Sequence, residues 1–156
     1  MKLRELTIQY RTRDDAPELP GRLTDPRHVV EAVRARLERE AQEVLVAVLL
    51  DTTHAPLGIV EVARGAGNVC YLTPRDVLIP ALQAGAVAVI IAHNHPSGDP
   101  TPSADDAALV ARVSQGLGLV GLQLLDSIII GAEGRYVSAA ATGVMPPLTS
   151  AEGMTP

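Results

Sequence analysis

Leu6, Ile8 and Tyr10 alternate with polar residues, a period of two that predicts a short opening strand. Residues 12–23 are rich in Asp, Pro and Gly and read as a loop. A helix is expected from Thr24 or Asp25, with Pro26 in its first turn, because Val29, Val33 and Leu37 fall on one face. It is expected to end between Glu40 and Glu43. Val44 to Leu50 is a continuous β-branched and Leu run, suited to a strand buried on both faces. A turn over Asp51 to Pro56 leads to a second strand, Leu57 to Ala63, and a shorter one is expected over Asn68 to Leu72. Thr73-Pro74-Arg75-Asp76 opens a second helix to about Ala84, with Gly85 as its stop. Ala86 to Ala92 reads as another buried strand and His93 to Pro102 as a loop. Ser103 opens a third helix to about Gln115, with Gly116 and Gly118 ending it. Val120 to Ile130 and Arg135 to Ser138 read as the last strands, either side of a Gly131–Gly134 turn. From Ala140 the chain is small-residue and Pro-containing, and a flexible tail is expected over 141–156. The alternation predicts an α/β domain of two or three layers around a mixed sheet.

Composition narrows the function. With 156 residues, 47% apolar and 20% charged, the chain is one globular domain's worth rather than a disordered segment. The net charge of −5 and a pI near 5.3 argue against strong non-specific nucleic-acid binding. Aromatics make up 2%, too few for a base-stacking surface. The lone Cys70 excludes an internal disulfide and a Cys-based zinc cluster, and is expected as a small apolar strand residue. No apolar run approaches the roughly 20 residues of a membrane span. The opening MKLRELTIQYRTRDD lacks the apolar core of a signal peptide. A cytoplasmic location is therefore expected, with no membrane partner.

The chemistry gathers in AHNHPSGDPTPSADD, Ala92 to Asp106. His93 and His95 leave the same face at the end of a buried strand, roughly 6.5–7 Å apart in extended backbone. Asp106 falls in the first turn of the next helix, within reach of the strand end. Two imidazoles and a carboxylate leave a fourth position open, as catalytic zinc sites do. Other readings stand beside this one. A His pair can be merely solvated, and Ser103-x-x-Asp106 is also a helix N-cap pair. His54 reads as a solvated turn residue and His28 as an exposed start of the first helix. Arg64 and Arg75 read as surface cations, with binding of a substrate carboxylate as the alternative. The tripeptide His-Asn-His is not the nuclease motif of that name, whose ligands come from a separate hairpin and helix.

His93-x-His95-Pro96, six further residues, then Ser103-x-x-Asp106 resembles the JAMM motif of the JAB/MPN metalloprotease superfamily. HNHPSGDPTPS resembles its RadC-like branch most. Glu43-Val44 with Leu49-Leu50-Asp51, Arg64-Gly65, Pro74-Arg75-Asp76-Val77 and Leu124-Leu125-Asp126 also resemble that branch's pattern. The resemblance implies a JAB/MPN-like, cytidine-deaminase-like fold: a mixed, curved sheet flanked by about three helices. It implies a strand and loop over 1–24, the RadC-like domain over 25–140, and the tail beyond. It also implies zinc held by His93, His95 and Asp106, Glu43 as general base, and Ser103 as a donor to the oxyanion. Glu61 is the alternative base. The implied activity is zinc-dependent hydrolysis of a peptide or isopeptide-linked protein substrate. The alternative is a non-catalytic binding module or a DNA-repair accessory, with DNA as a partner that the charge does not support. An exposed edge strand makes a homodimer an expectation. The sequence departs from the family pattern at Ser127, where His is usual, and at Ala66, where Thr is usual. The helix-hairpin-helix region of longer RadC proteins is not found.

Overall fold

The computed structural model describes residues 9–12, 18–65 and 72–146. Residues 68–71 of the strand expected over Asn68 to Leu72, with Cys70, and most of the opening strand lie outside them, as does Ala66; Leu72 itself is buried and carries no regular structure. Gln9 to Thr12 carry no regular structure.

Helix α1 spans Pro26–Leu37 and starts where Asp25 accepts a hydrogen bond from the Arg27 N–H. It ends about a turn earlier than the sequence implies. Leu37 is the last residue of its buried stripe, and between Glu38 and Gln42 only the small, exposed Ala41 is apolar, too little to pull another turn onto the sheet. The chain then enters β1, Glu43–Leu50, an extended segment buried from Val44 onward. Glu43 is therefore the first residue of a strand and not the end of a helix. β2, Pro56–Gly65, pairs antiparallel with β1. α2 is Pro74–Gln83, capped by Thr73 and Asp76. β3 is Ala88–Asn94, so His93 belongs to the strand itself rather than to the loop expected from that point. α3 runs Ala104–Gly118, one turn past Gln115. β4, Gln123–Ile130, starts later than Val120, because Gly121 takes a positive φ of 75° in the turn before it. β5 is Tyr136–Ser138.

The sheet order is β2-β1-β3-β4-β5. It is mixed: only β3 and β4 run parallel, joined by the crossover through α3. The sheet is curved and open. Side-chain alternation along the central strands divides the core in two. Val44, Val46, Val48, Ile90 and Ala92 pack with Val29, Val33 and Leu37 of α1. Leu45, Ala47, Leu49, Val89 and Ile91 pack with Val77 and Ala81 of α2 and Leu109, Val113 and Leu117 of α3. The result is three layers, with α1 on one face and α2 and α3 on the other. Asp126 is buried and ties β4 to the chain after β5, accepting from the Ser138 hydroxyl at 2.6 Å and from the Ala140 N–H at 2.9 Å. Among the described residues no helix is long and apolar enough to cross a membrane.

Candidate metal centre

Register places the chemistry. Leu45 of β1 pairs with His93 of β3, and Glu43 lies two residues before Leu45 on the same face. That face is the one covered by α3, whose first turn carries Asp106. The crossover thus brings the start of α3 over the C-terminal end of β3, the end of an open α/β sheet where ligands usually bind.

One ligand atom each from Glu43, His93, His95 and Asp106 lie within 4.8 Å of one another. His93 Nε2 is 3.1 Å from Asp106 Oδ1 and 3.9 Å from Glu43 Oε1. His95 Nε2 is 3.3 Å from Asp106 Oδ2 and 3.1 Å from His93 Nε2. The His93 side chain is 1% exposed and that of Asp106 7%. His95 and Glu43 are open to solvent along one edge, at 17% and 16%. So the site is walled on the sheet side and accessible on the other.

Local chemistry holds each group. His95 Nδ1 is 2.7 Å from the Asp99 carbonyl oxygen. A carbonyl only accepts, so the proton of neutral His95 sits on Nδ1 and its lone pair is on Nε2, facing the cluster. The loop that supplies Asp99 is pinned. The Ala132 N–H and the Arg135 guanidinium both donate to Gly98 O at 2.9 Å, and His95 N–H donates to Ile130 O at 3.1 Å. Gly98 takes a φ of 79°, and a Cβ on Gly131 would stand 2.7 Å from Gly98 O, so both positions require glycine. Asp106 and Ser103 form a capping box. The Ser103 hydroxyl donates to Asp106 Oδ2 at 2.6 Å, and the Asp106 N–H donates to Ser103 Oγ at 3.1 Å. The N-cap reading of this pair is therefore present, and the same Asp106 carboxylate reaches the cluster with His93 and His95.

Burial alone pushes the Asp106 carboxyl up. Hydrogen bonds from His93 and Ser103 outweigh it and hold the group well below the usual carboxylate range. Glu43 goes the other way: burial raises its carboxyl, opposed by the nearby His93 and His95 and helped by the Asp106 charge.

Asn94, between the two histidines, went unremarked in the sequence. It is 2% exposed and points to the opposite face of β3. Its Oδ1 accepts from the Val44 N–H at 2.8 Å, and its Nδ2 donates to the carbonyls of Gln42 at 3.0 Å and Glu40 at 3.2 Å. These bonds grip the backbone on both sides of Glu43. The signal was available: a lone amide at the end of an apolar strand, at the parity that faces α1.

The other candidates fall elsewhere. Glu61 is bound to Arg64 at 2.8 Å and Arg36 at 3.1 Å, away from the cluster, so it does not join the site. Arg64 also holds Glu40 at 2.6 Å, which commits its guanidinium to the protein's own acids. Arg75 is exposed. His54 adopts a positive φ of 63° in the turn after β1. His28 is only half exposed, because its Nδ1 is turned inward, without a hydrogen-bond partner. Ser127 is buried beneath Asp106 and Val110.

The donor set fits a divalent metal. Two imidazole nitrogens 3.1 Å apart share one carboxylate, and His95 is held in the tautomer that ligates. His93 Nδ1 is buried without a partner, so that ring's only polar contacts are those of Nε2 with the cluster.

Fold and site together define a mixed α/β domain with a possible metal-binding group at the end of its central strand. A family model for the RadC-like JAB domain matches residues 23–144. A UPF0758 protein of Clostridium beijerinckii is 36% identical over 145 residues, covering 93% of this chain and 62% of the relative. A UPF0758 protein of Syntrophotalea carbinolica is 41% identical over 130 residues, covering 83% and 57%. One from Xanthomonas campestris is 41% identical over 124 residues, covering 80% and 55%. The chain belongs to the RadC-like JAB domain family. It spans a little over half the length of these relatives.

Proposed function

We propose that the chain is a zinc-dependent hydrolase of amide or isopeptide bonds. The observation that carries this reading is the convergence of Glu43, His93, His95 and Asp106, drawn from β1, the end of β3 and the start of α3. His93, His95 and Asp106 are the proposed ligands. A bound divalent ion supplies Lewis acidity, which polarises a substrate carbonyl and acidifies water.

The chain's own residues do the rest. Glu43 stands beside the proposed ligands, and among the described residues no hydrogen bond fixes its carboxylate, which leaves it able to accept a proton. Water's oxygen bonds to the carbonyl carbon and its proton passes to Glu43. The C–N bond then breaks, and Glu43 returns the proton to the leaving nitrogen. Burial raises the Glu43 carboxyl, which brings it nearer to the pH at which both transfers run well. Ser103 orients Asp106 through the capping box and, on turning its hydroxyl away from Oδ2, donates to the developing oxyanion. The substrate is a peptide or an isopeptide-linked protein.

The test compares wild type with Glu43→Gln, both zinc-loaded, on internally quenched peptides and isopeptide-linked substrates. Cleavage by wild type, lost in Glu43→Gln while zinc content stays equal, is the expected result. Equal cleavage by both, or no zinc uptake by wild type, would sink the reading.

A further inference from the structure

A small cavity opens against the far side of the Asp106 carboxylate. Its floor is Asp106 and Val110 of α3 with Ser127 and Ile129 of β4, and Ala107 and Val144 stand at its rim. The space free inside is about 40 Å³. That holds roughly two or three waters, or a side chain of two or three heavy atoms. Ile129 is the sheet partner of His93, and Ser127 that of Ile91, so the floor continues the strand face that carries the metal centre. The walls are apolar apart from three side chains, and one of them, Thr142, spends its hydroxyl on the Ser138 and Ala139 carbonyls. The second is Asp106 itself. The third is Ser127, which is 4% exposed and whose hydroxyl makes no hydrogen bond among the described residues. An unpaired hydroxyl in an otherwise apolar pocket is the kind of polar group that fixes a ligand's orientation.

We propose that this cavity, bounded by Asp106 and Ser127, receives the side chain of the substrate residue next to the scissile bond and selects a small one, of alanine to threonine size. The proposal rests on the hydrolase reading of the adjoining metal centre. Asp106 bounds both the cavity and the metal centre, so a substrate whose carbonyl lies at the centre is expected to present its neighbouring side chain to the cavity. The apolar walls take a methyl group, the Ser127 hydroxyl pairs with a serine or threonine hydroxyl, and a leucine or phenylalanine exceeds the space.

The experiment reads binding rather than turnover. Acetohydroxamate and the hydroxamates of glycine, alanine, threonine, leucine and phenylalanine are titrated calorimetrically into the zinc-loaded chain. The hydroxamate group anchors to the metal, and the side chain probes the pocket. Alanine and threonine hydroxamates are expected to bind at least about tenfold tighter than the phenylalanine compound. Ser127→Leu, which fills the floor, is expected to erase that difference. Ala107→Leu at the exposed rim serves the same purpose where circular dichroism shows the buried variant unfolded. Affinities that ignore side-chain size, or a preference that survives both substitutions, overturn the pocket while acetohydroxamate binding leaves the metal centre standing. Failure of every hydroxamate, acetohydroxamate included, overturns the metal centre and the pocket together.

Discussion

Replacing Asn94 by Ala removes the clamp on the backbone around Glu43. Three hydrogen bonds are lost. The costliest is that of the Val44 N–H, because Val44 is 0% exposed and water cannot replace the lost acceptor. A buried donor left unpaired costs about 1–3 kcal/mol. The carbonyls of Glu40 and Gln42 lie nearer solvent and are re-solvated, at roughly 0.5 kcal/mol each. The sum is about 2–4 kcal/mol, or a fall in Tm of roughly 5–15 °C for a domain of this size. Urea unfolding of the metal-free chain measures it, with Gln42→Ala, an exposed side chain beside the clamp, as control within about 0.5 kcal/mol of wild type. Asn94→Asp keeps the acceptor for Val44 but sets a carboxylate against two carbonyl oxygens, so it is expected to be no better than Ala. If Asn94→Ala unfolds within about 0.5 kcal/mol of wild type, the clamp does not hold the start of β1, and the account of how Glu43 is positioned fails with it.

Zinc is expected to bind at about one ion per chain by elemental analysis, and to be lost from His95→Ala and from Asp106→Asn. Free zinc at about a hundred times its dissociation constant then raises wild-type stability by about 2.7 kcal/mol and leaves His95→Ala unmoved in the same melt. Gly131→Ala drives a Cβ to 2.7 Å from Gly98 O and from Pro100 Cδ. It is expected to cost about 1–3 kcal/mol and to weaken zinc binding, because the displaced loop carries the carbonyl that holds His95; zinc competition with a chromophoric chelator reads the second effect. Hydrogen bonds from Arg64 and Arg36 outweigh burial and hold Glu61 at about 2, below its ordinary 4.5. Its contribution is therefore present above about pH 4.5 and is lost as pH falls toward 2. Glu61→Gln is expected to lower stability at neutral pH and to match wild type near pH 2, as followed by denaturant midpoints across that range.

The buried strands were legible because β1 and β3 are continuous apolar runs, which only a sheet covered on both faces accommodates. The α2 start was legible because Thr73, Pro74 and Asp76 are each cap chemistry. The end of α1 was not, since Glu38 to Gln42 have fair helix propensity and only the missing apolar face stops the helix. For the site, the spacing of His93, His95 and Asp106 placed three members of the cluster within one segment. The nearness of Glu43 did not follow from spacing: it depends on the pairing of Leu45 with His93, a register set by which face each strand buries. Glu61 looked comparable in sequence because its strand neighbours are apolar, but its position on the outer strand β2 delivers it to Arg36 and Arg64. Asn94 and the Asp99 carbonyl stayed hidden because their roles are contacts to backbone, which carries no side-chain signature.

The proposed ligands all lie between His93 and Asp106, on one strand end, one loop and one helix start, whereas Glu43 arrives from fifty residues upstream through an antiparallel pairing. Local contacts close early in folding and distant pairings close late. The two halves of the centre are therefore expected to assemble on different schedules. A chain that has formed only the β3-loop-α3 unit holds the proposed ligands without Glu43, which joins them when β1 docks and Asn94 closes on Val44. On the proposed hydrolase reading, this ordering would be a safeguard in time: the centre would stay incomplete until the sheet that carries it has closed.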